Sequence, residues 1–97
     1  MAKNYFWVKK QADGTKRVGL NDEGRDKLGE VSFIDVPAVG TTLKQDDKFI
    51  AVEAEKAVTD MDSPIDGKIT KINEAIIDDP AELNSSDMEK NWIVEVK

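Results

Sequence analysis

The residues able to do chemistry are few. The chain of 97 residues has no cysteine and no histidine. That excludes a disulfide framework and a thiolate zinc site, and it removes the commonest general base and the commonest metal ligand. No serine or threonine stands in a nucleophile setting. The carboxylates are plentiful but dispersed, and "IIDDP" (Ile76–Pro80) offers too few oxygens at set spacing for a calcium loop. Neither an independent enzyme nor a metal site is expected. What remains is a set of amines, and one of them, Lys56, sits in an unusual setting: "VEAEKAVTD", Val52 to Asp60, with Glu55 and Ala57 on either side. If the stretch is a hairpin, the small Ala54 and Ala57 leave the amine uncovered on a rigid tip, which is what a modifying enzyme needs. Once acylated, it is the root of a long flexible arm.

The backbone of this stretch has two readings. Ala, Glu and Lys are strong helix formers, and Ile50, Ala54, Val58 and Met61 fall at helical spacing with Glu53, Lys56 and Asp60 on a polar face. The β-branched Val52, Val58 and Thr59 favour strands instead, and a type I turn over Ala54–Ala57 needs neither Gly nor Asn. Local pattern leaves helix and hairpin both open.

The flanking elements are mostly strand-like. "NYFWVKK", the turn "ADGT" and "KRVGL" make an N-terminal hairpin. "NDEGRDKLG" predicts a short helix, with Asn21 as N-cap, Gly29 at C′ and Gly24 limiting its length. Asp22, Glu23 and Asp26 form its solvated face. "EVSFIDV" predicts a strand with Val31, Phe33 and Asp35 on one face and Ser32, Ile34 and Val36 on the other. "PAVGTTL" and "KQDD" are a bend and a turn. "FIAVEA" alternates Phe49 and Ala51 against Ile50 and Val52. "SPIDG" is a turn and "KITKI" a strand. "DDPAELN" starts a short helix capped by Asp79 with Pro80 first, and "NWIVEVK" closes as a strand. Trp7, Phe33, Phe49 and Trp92 are expected to pack in the core or at its edge. "GEVSFIDV" echoes "GKITKINE", and "FIAVE" echoes "WIVEV", which suggests two similar β units related by a pseudo-two-fold.

Composition bounds the rest. The net charge of −6, with no basic run longer than Lys9-Lys10, argues against nucleic-acid binding. No segment is apolar for long enough to span a membrane, and Met1–Asn4 lack the apolar stretch of a signal peptide. One small domain, cytoplasmic and without a membrane partner, is expected.

The order of "LG", "FIDVP", "VG", "VEAEKAV", "SPIDGKI", "DDPAELN" and "NWIVEV" from about Val18 to Val96 resembles the glycine cleavage system H protein family. The resemblance implies a mainly β fold of the lipoyl/biotinyl hammerhead type, a flattened barrel or sandwich of two pseudo-symmetric sheets with short helices. Residues 1–28 would be the N-terminal hairpin and short helix, and residues 29–97 the hammerhead core of a single domain. It implies that Lys56 carries covalent lipoate in the "VE-x-x-KA" context. Glu53, Glu55 and Ala57 would serve recognition by a lipoate–protein ligase or lipoyl transferase. "YFW" (Tyr5–Trp7) stands where the family usually has "HEW", and no helical segment is expected after "WIVEVK". In these respects the chain is most similar to the short H-like proteins of Gram-positive bacteria. Those are associated with lipoyl transfer and linked to a sirtuin-type ADP-ribosyltransferase and a macrodomain protein, with Asp26 as the candidate ADP-ribose acceptor here. The implied function is a non-catalytic lipoyl carrier acting as lipoyl donor or relay. The alternative is the H protein proper, shuttling an aminomethyl group among glycine decarboxylase, aminomethyltransferase and dihydrolipoyl dehydrogenase. Less favoured are a biotinyl carrier, whose lysine usually lies between two Met where this chain has Glu55 and Ala57, and an unmodified interaction module.

Overall fold

The computed structural model describes residues 4–97; Met1–Lys3, part of the N-terminal stretch without a signal-peptide pattern, lie outside the described residues. The chain opens with β1 (Phe6–Lys10) and β2 (Lys16–Leu20), paired antiparallel from Phe6↔Leu20 to Lys10↔Lys16. The Asp13 carboxylate closes the turn by accepting from the Thr15 backbone N–H (2.9 Å) and hydroxyl (2.6 Å). Helix α1 (Asp22–Leu28) begins where the Asn21 side chain accepts from the Gly24 N–H and ends at Gly29. Gly24 is inside the helix for a packing reason. A Cβ there would lie 2.5 Å from both the Tyr5 carbonyl and Leu20 Cδ1, so only Gly lets α1 settle onto the first hairpin.

Six strands follow, interrupted by short helices: β3 (Val31–Asp35), β4 (Thr42–Leu43), β5 (Lys48–Ala54), β6 (Val58–Asp62), β7 (Gly67–Ile72) and, at the end, β8 (Trp92–Val96). Between β7 and β8 come α2 (Glu74–Asp78), a 3-10 helix (Pro80–Asn84) and α3 (Met88–Asn91). Asp79 caps the 3-10 helix with Pro80 in its first turn, as the sequence predicts. Helices α2 and α3, capped by Asn73 and Asp87, were not predicted; each is a single turn or little more, too short to leave an apolar periodicity.

The strands form two antiparallel sheets, of order β1-β2-β8-β7-β4 and β3-β5-β6. This is the mainly β architecture with short helices that the sequence implies. The echoed segments are β3 with β5 and β7 with β8, and each couple pairs antiparallel in its own sheet. Buried side chains from both sheets join one core, with Val18, Ile69 and Val94 from the larger and Ile34, Ile50 and Val52 from the smaller. Phe6 meets Phe49 edge-on, with ring centroids 5.4 Å apart, and so ties the sheets together. Burying each such side chain stabilises the fold by about 1.5–3 kcal/mol.

Two predicted strand faces differ from those observed, for one reason. Val31 is buried while Phe33 is exposed, although the plain alternation put them on the same face. The register steps from Val31↔Ala54 to Phe33↔Glu53, so β3 uses two residues where β5 uses one. This bulge at Ser32 lets Val31 and Ile34 both point inward. A second irregularity between Lys48 and Ile50 buries Phe49 and Ile50 together. Phe33 is accordingly not a core residue.

The Asp13 turn carries a pH dependence. The Thr15 hydroxyl, then the Thr15 backbone N–H, hold the Asp13 carboxyl below the usual range. Its folded-state pKa therefore lies below the unfolded value of about 3.9. The stabilisation is complete above that value and is lost as pH falls through the folded pKa. Asp13→Asn is expected to lower the thermal midpoint at pH 7 and to flatten its decline below pH ~4, measured by circular dichroism across that range.

Candidate functional site

Val52–Asp60 is a hairpin. Glu53 lies opposite Val58, and the Ala54 N–H donates to the Ala57 carbonyl (2.9 Å), leaving Glu55 and Lys56 at the tip. The helical spacing of Ile50, Ala54, Val58 and Met61 is overturned by tertiary pairing, since so short a helix would be marginal without its own packed face. Among the described residues only Asp46 combines a side chain with positive φ, so the tip does not use the primed turn geometry that matches strand twist. It needs outside support.

That support comes from the link between α1 and β3. The Glu55 N–H donates to the Glu30 carbonyl and the Lys56 N–H to the Leu28 carbonyl, each at 2.9 Å. Both amides of the tip are thereby fixed to a neighbouring segment. At Gly29, between these two carbonyls, φ is +69°, and a Cβ would press on Glu55 Oε1 at 3.1 Å and Lys56 Cγ at 3.2 Å. The link is clamped in turn by Asn84, whose Nδ2 donates to the Gly29 carbonyl (2.6 Å) while its Oδ1 accepts from the Val31 N–H (2.9 Å). A residue more than fifty positions away thus holds the segment that holds the tip.

The side chains at the tip divide by solvent contact. Ala54 and Ala57 are half-buried and pack against the core, whereas Glu53, Glu55 and Lys56 are exposed. Lys56 Nζ donates to the backbone carbonyl of Asp26 (3.2 Å) at the solvent surface. The amine thus rests on the carbonyl-rich end of α1, where a cation is favoured, but in water the contact is weak and easily exchanged. Of the residues predicted from sequence, Lys56, Glu55 and Ala57 are together at the tip. Asp26 is brought beside Lys56, its own side chain exposed on α1. Glu53 lies one ladder step back, on the outer face between Phe33 and Val58. Sequence reasoning missed Asn84 and the bracing role of Gly29, which it treated only as a helix end. The motif "DDPAELN" marks Asn84, but its partners lie across a gap in sequence that no local pattern bridges. Among the described residues, no group of three or more Asp or Glu could hold a metal ion, and no helix is long and apolar enough to cross a membrane.

The fold and the tip define a class: a small two-sheet β domain that presents one amine on a braced hairpin. The comparisons with known proteins agree with one another. The family model for "Glycine cleavage H-protein" matches residues 1–97. The glycine cleavage system H protein of Oceanobacillus iheyensis is 38% identical over 96 residues, covering 99% of this chain and 75% of the relative. That of Cronobacter sakazakii is 36% identical over 96 residues, covering 99% and 74%. The crystal structure of a glycine cleavage system H protein from Mycobacterium marinum superposes with a TM-score of 0.83 at 31% identity, covering 95% of this chain and 76% of that one. The chain belongs to the glycine cleavage H-protein family.

Asn84→Ala removes a donor and an acceptor and leaves the buried Val31 N–H without its partner. A loss of about 1–3 kcal/mol in urea unfolding is expected; a loss under about 0.5 kcal/mol would show that the clamp is dispensable.

Proposed function

We propose that this protein is a lipoyl carrier, itself non-catalytic, with Lys56 as the attachment residue. The observation that carries the reading is the braced tip. Lys56 is exposed, its backbone is fixed by the Leu28 and Glu30 carbonyls, and its small neighbour Ala57 is tucked against the core. These features fit a residue that must enter the active site of a modifying enzyme and then anchor a long arm.

Lipoate bound there would supply a dithiolane that exchanges electrons and acyl or aminomethyl groups, chemistry that belongs to the cofactor. The protein's own contribution is position. Acylation requires the Lys56 ammonium to give up a proton, so that its lone pair can form an amide with an activated lipoyl carbonyl. The bond to the activating group breaks with its electron pair leaving on that group, the amide nitrogen sheds a second proton, and the lipoate–protein ligase or lipoyl transferase takes up both protons. Leaving the Asp26 carbonyl sacrifices only one solvent-exposed hydrogen bond. Glu53 and Glu55 are the candidate recognition residues for that enzyme, and their exposure within three residues of Lys56 supports that role. Tethering then raises the local concentration of the arm at each docked partner.

Family membership supports partners of the glycine cleavage type: glycine decarboxylase, aminomethyltransferase and dihydrolipoyl dehydrogenase. A second reading, a lipoyl donor or relay, is favoured by one feature. At Tyr5–Trp7, where the family usually carries "HEW", this chain has "YFW", and Phe6 is buried at 3% exposure. Tyr5 and Phe6 line a cavity of about 300 Å³ beside Lys27, Asp60 and Ser63. The carboxylate that the family's glutamate would bring to that stretch is replaced by core packing. In the relay setting, which would involve a sirtuin-type transferase and a macrodomain protein, Asp26 is the candidate acceptor of ADP-ribose; its exposure beside Lys56 supports that reading.

Incubation with a lipoate–protein ligase, lipoate and ATP should add one lipoyl increment by intact mass, lost in Lys56→Arg, with no biotin increment from a biotin ligase. No addition to the wild type would refute the carrier reading. To separate the two jobs, the lipoylated protein is offered glycine decarboxylase with glycine, or an acceptor dehydrogenase subunit with a lipoyl transferase. Aminomethyl loading supports the first job; lipoyl transfer without loading supports the relay.

A further inference from the structure

The three-stranded sheet has an outer face with a composition of its own. The bulge at Ser32 turns Phe33 outward, 51% exposed, and Val58 on the far strand is 77% exposed. Phe33, Glu53 and Val58 are direct cross-strand neighbours and form one row; Asp35, Ala51 and Asp60 form the next. A shallow depression of about 430 Å³ runs between Phe33, Glu53, Val58 and Asp60. The face therefore shows two large apolar side chains among three carboxylates. The cation paired to it, Lys48, lies 3.8 Å from Asp60.

We propose that this face is where the enzyme that acylates Lys56 docks, and that the enzyme's matching surface is an apolar centre within a basic rim. The inference rests on the carrier reading and extends it to a partner surface. The row Phe33–Glu53–Val58 is one ladder step from the Ala54–Ala57 closure of the tip, so an enzyme reaching Lys56 also covers this row. Exposed aromatic side chains at the centre of a patch are the usual anchors of an interface. The carboxylates select the partner by charge. They repel nucleic-acid phosphates and anionic lipid headgroups, and a second copy of this chain on the same face would set like charges against each other. A basic-rimmed enzyme meets the apolar centre and the acidic rim together.

The test is steady-state acylation by a lipoate–protein ligase with lipoate and ATP, at varied carrier concentration. The carriers are the wild type, Phe33→Ala, Val58→Ala and, as a control off this face, Val39→Ala. Val39 is also exposed, at 58%, but it does not line the depression. Phe33→Ala should raise the half-saturating carrier concentration about tenfold and Val58→Ala several-fold, with maximal rates within about twofold. Val39→Ala should match the wild type, and added salt should raise the half-saturating concentration for the wild type. Because both side chains are exposed, thermal midpoints should stay close to that of the wild type. Equal half-saturating concentrations across all four carriers would overturn the docking face and leave the carrier reading standing. A wild type that is never acylated would overturn both. A wild-type dimer that Phe33→Ala converts to monomer would assign the face to self-association and overturn the proposal.

Discussion

Two backbone hydrogen bonds hold the β5–β6 tip in place: Glu55 N–H to Glu30 and Lys56 N–H to Leu28. A two-residue connection without positive φ does not match the twist of the strands it joins, so left alone it would splay. The α1–β3 link supplies the missing constraint. Other features follow from it. Gly29 suits glycine because its φ is +69° and a Cβ would press on the tip's side chains, and Asn84 reaches back to a link that has no strand partner of its own. Helix α1 ends where its last residue delivers the Leu28 carbonyl to the tip.

The same bracing accounts for how the amine is offered. Fixing the backbone of Lys56 while leaving its side chain in water separates two requirements. The position is defined by buried structure, and the reach by four flexible methylenes. A lysine on a loose loop would meet the second requirement and fail the first, at an entropic cost on every encounter with an enzyme. The exposed carboxylates Glu53, Glu55 and Asp60 around the tip give it a negative field that reaches further than any contact.

Much of this was legible in the sequence. Asn21, Gly29, Asp79 and Pro80 mark helix boundaries through local hydrogen bonding that any short window contains, and they were placed correctly. The paired echo of β3–β5 and β7–β8 was also visible. The tip was not decidable from local pattern, because Ala, Glu and Lys suit a helix, while the bonds that make it a hairpin come from Leu28 and Glu30. The family resemblance, not propensity, pointed to Lys56. The bulges at Ser32 and near Phe49 shift the alternation by one residue, so plain alternation misassigns Phe33, which faces solvent. Asn84 was invisible for the same reason as the tip: its role exists only once distant segments have met.

The central claim is that the tip is braced rather than loose. Residue-resolved amide hydrogen exchange on the unmodified protein tests it most directly. The account predicts that the Glu55 and Lys56 amides are protected to a degree comparable with the neighbouring β5 and β6 ladder amides. Exchange of both at the rate of an open loop, with the ladder still protected, would contradict it.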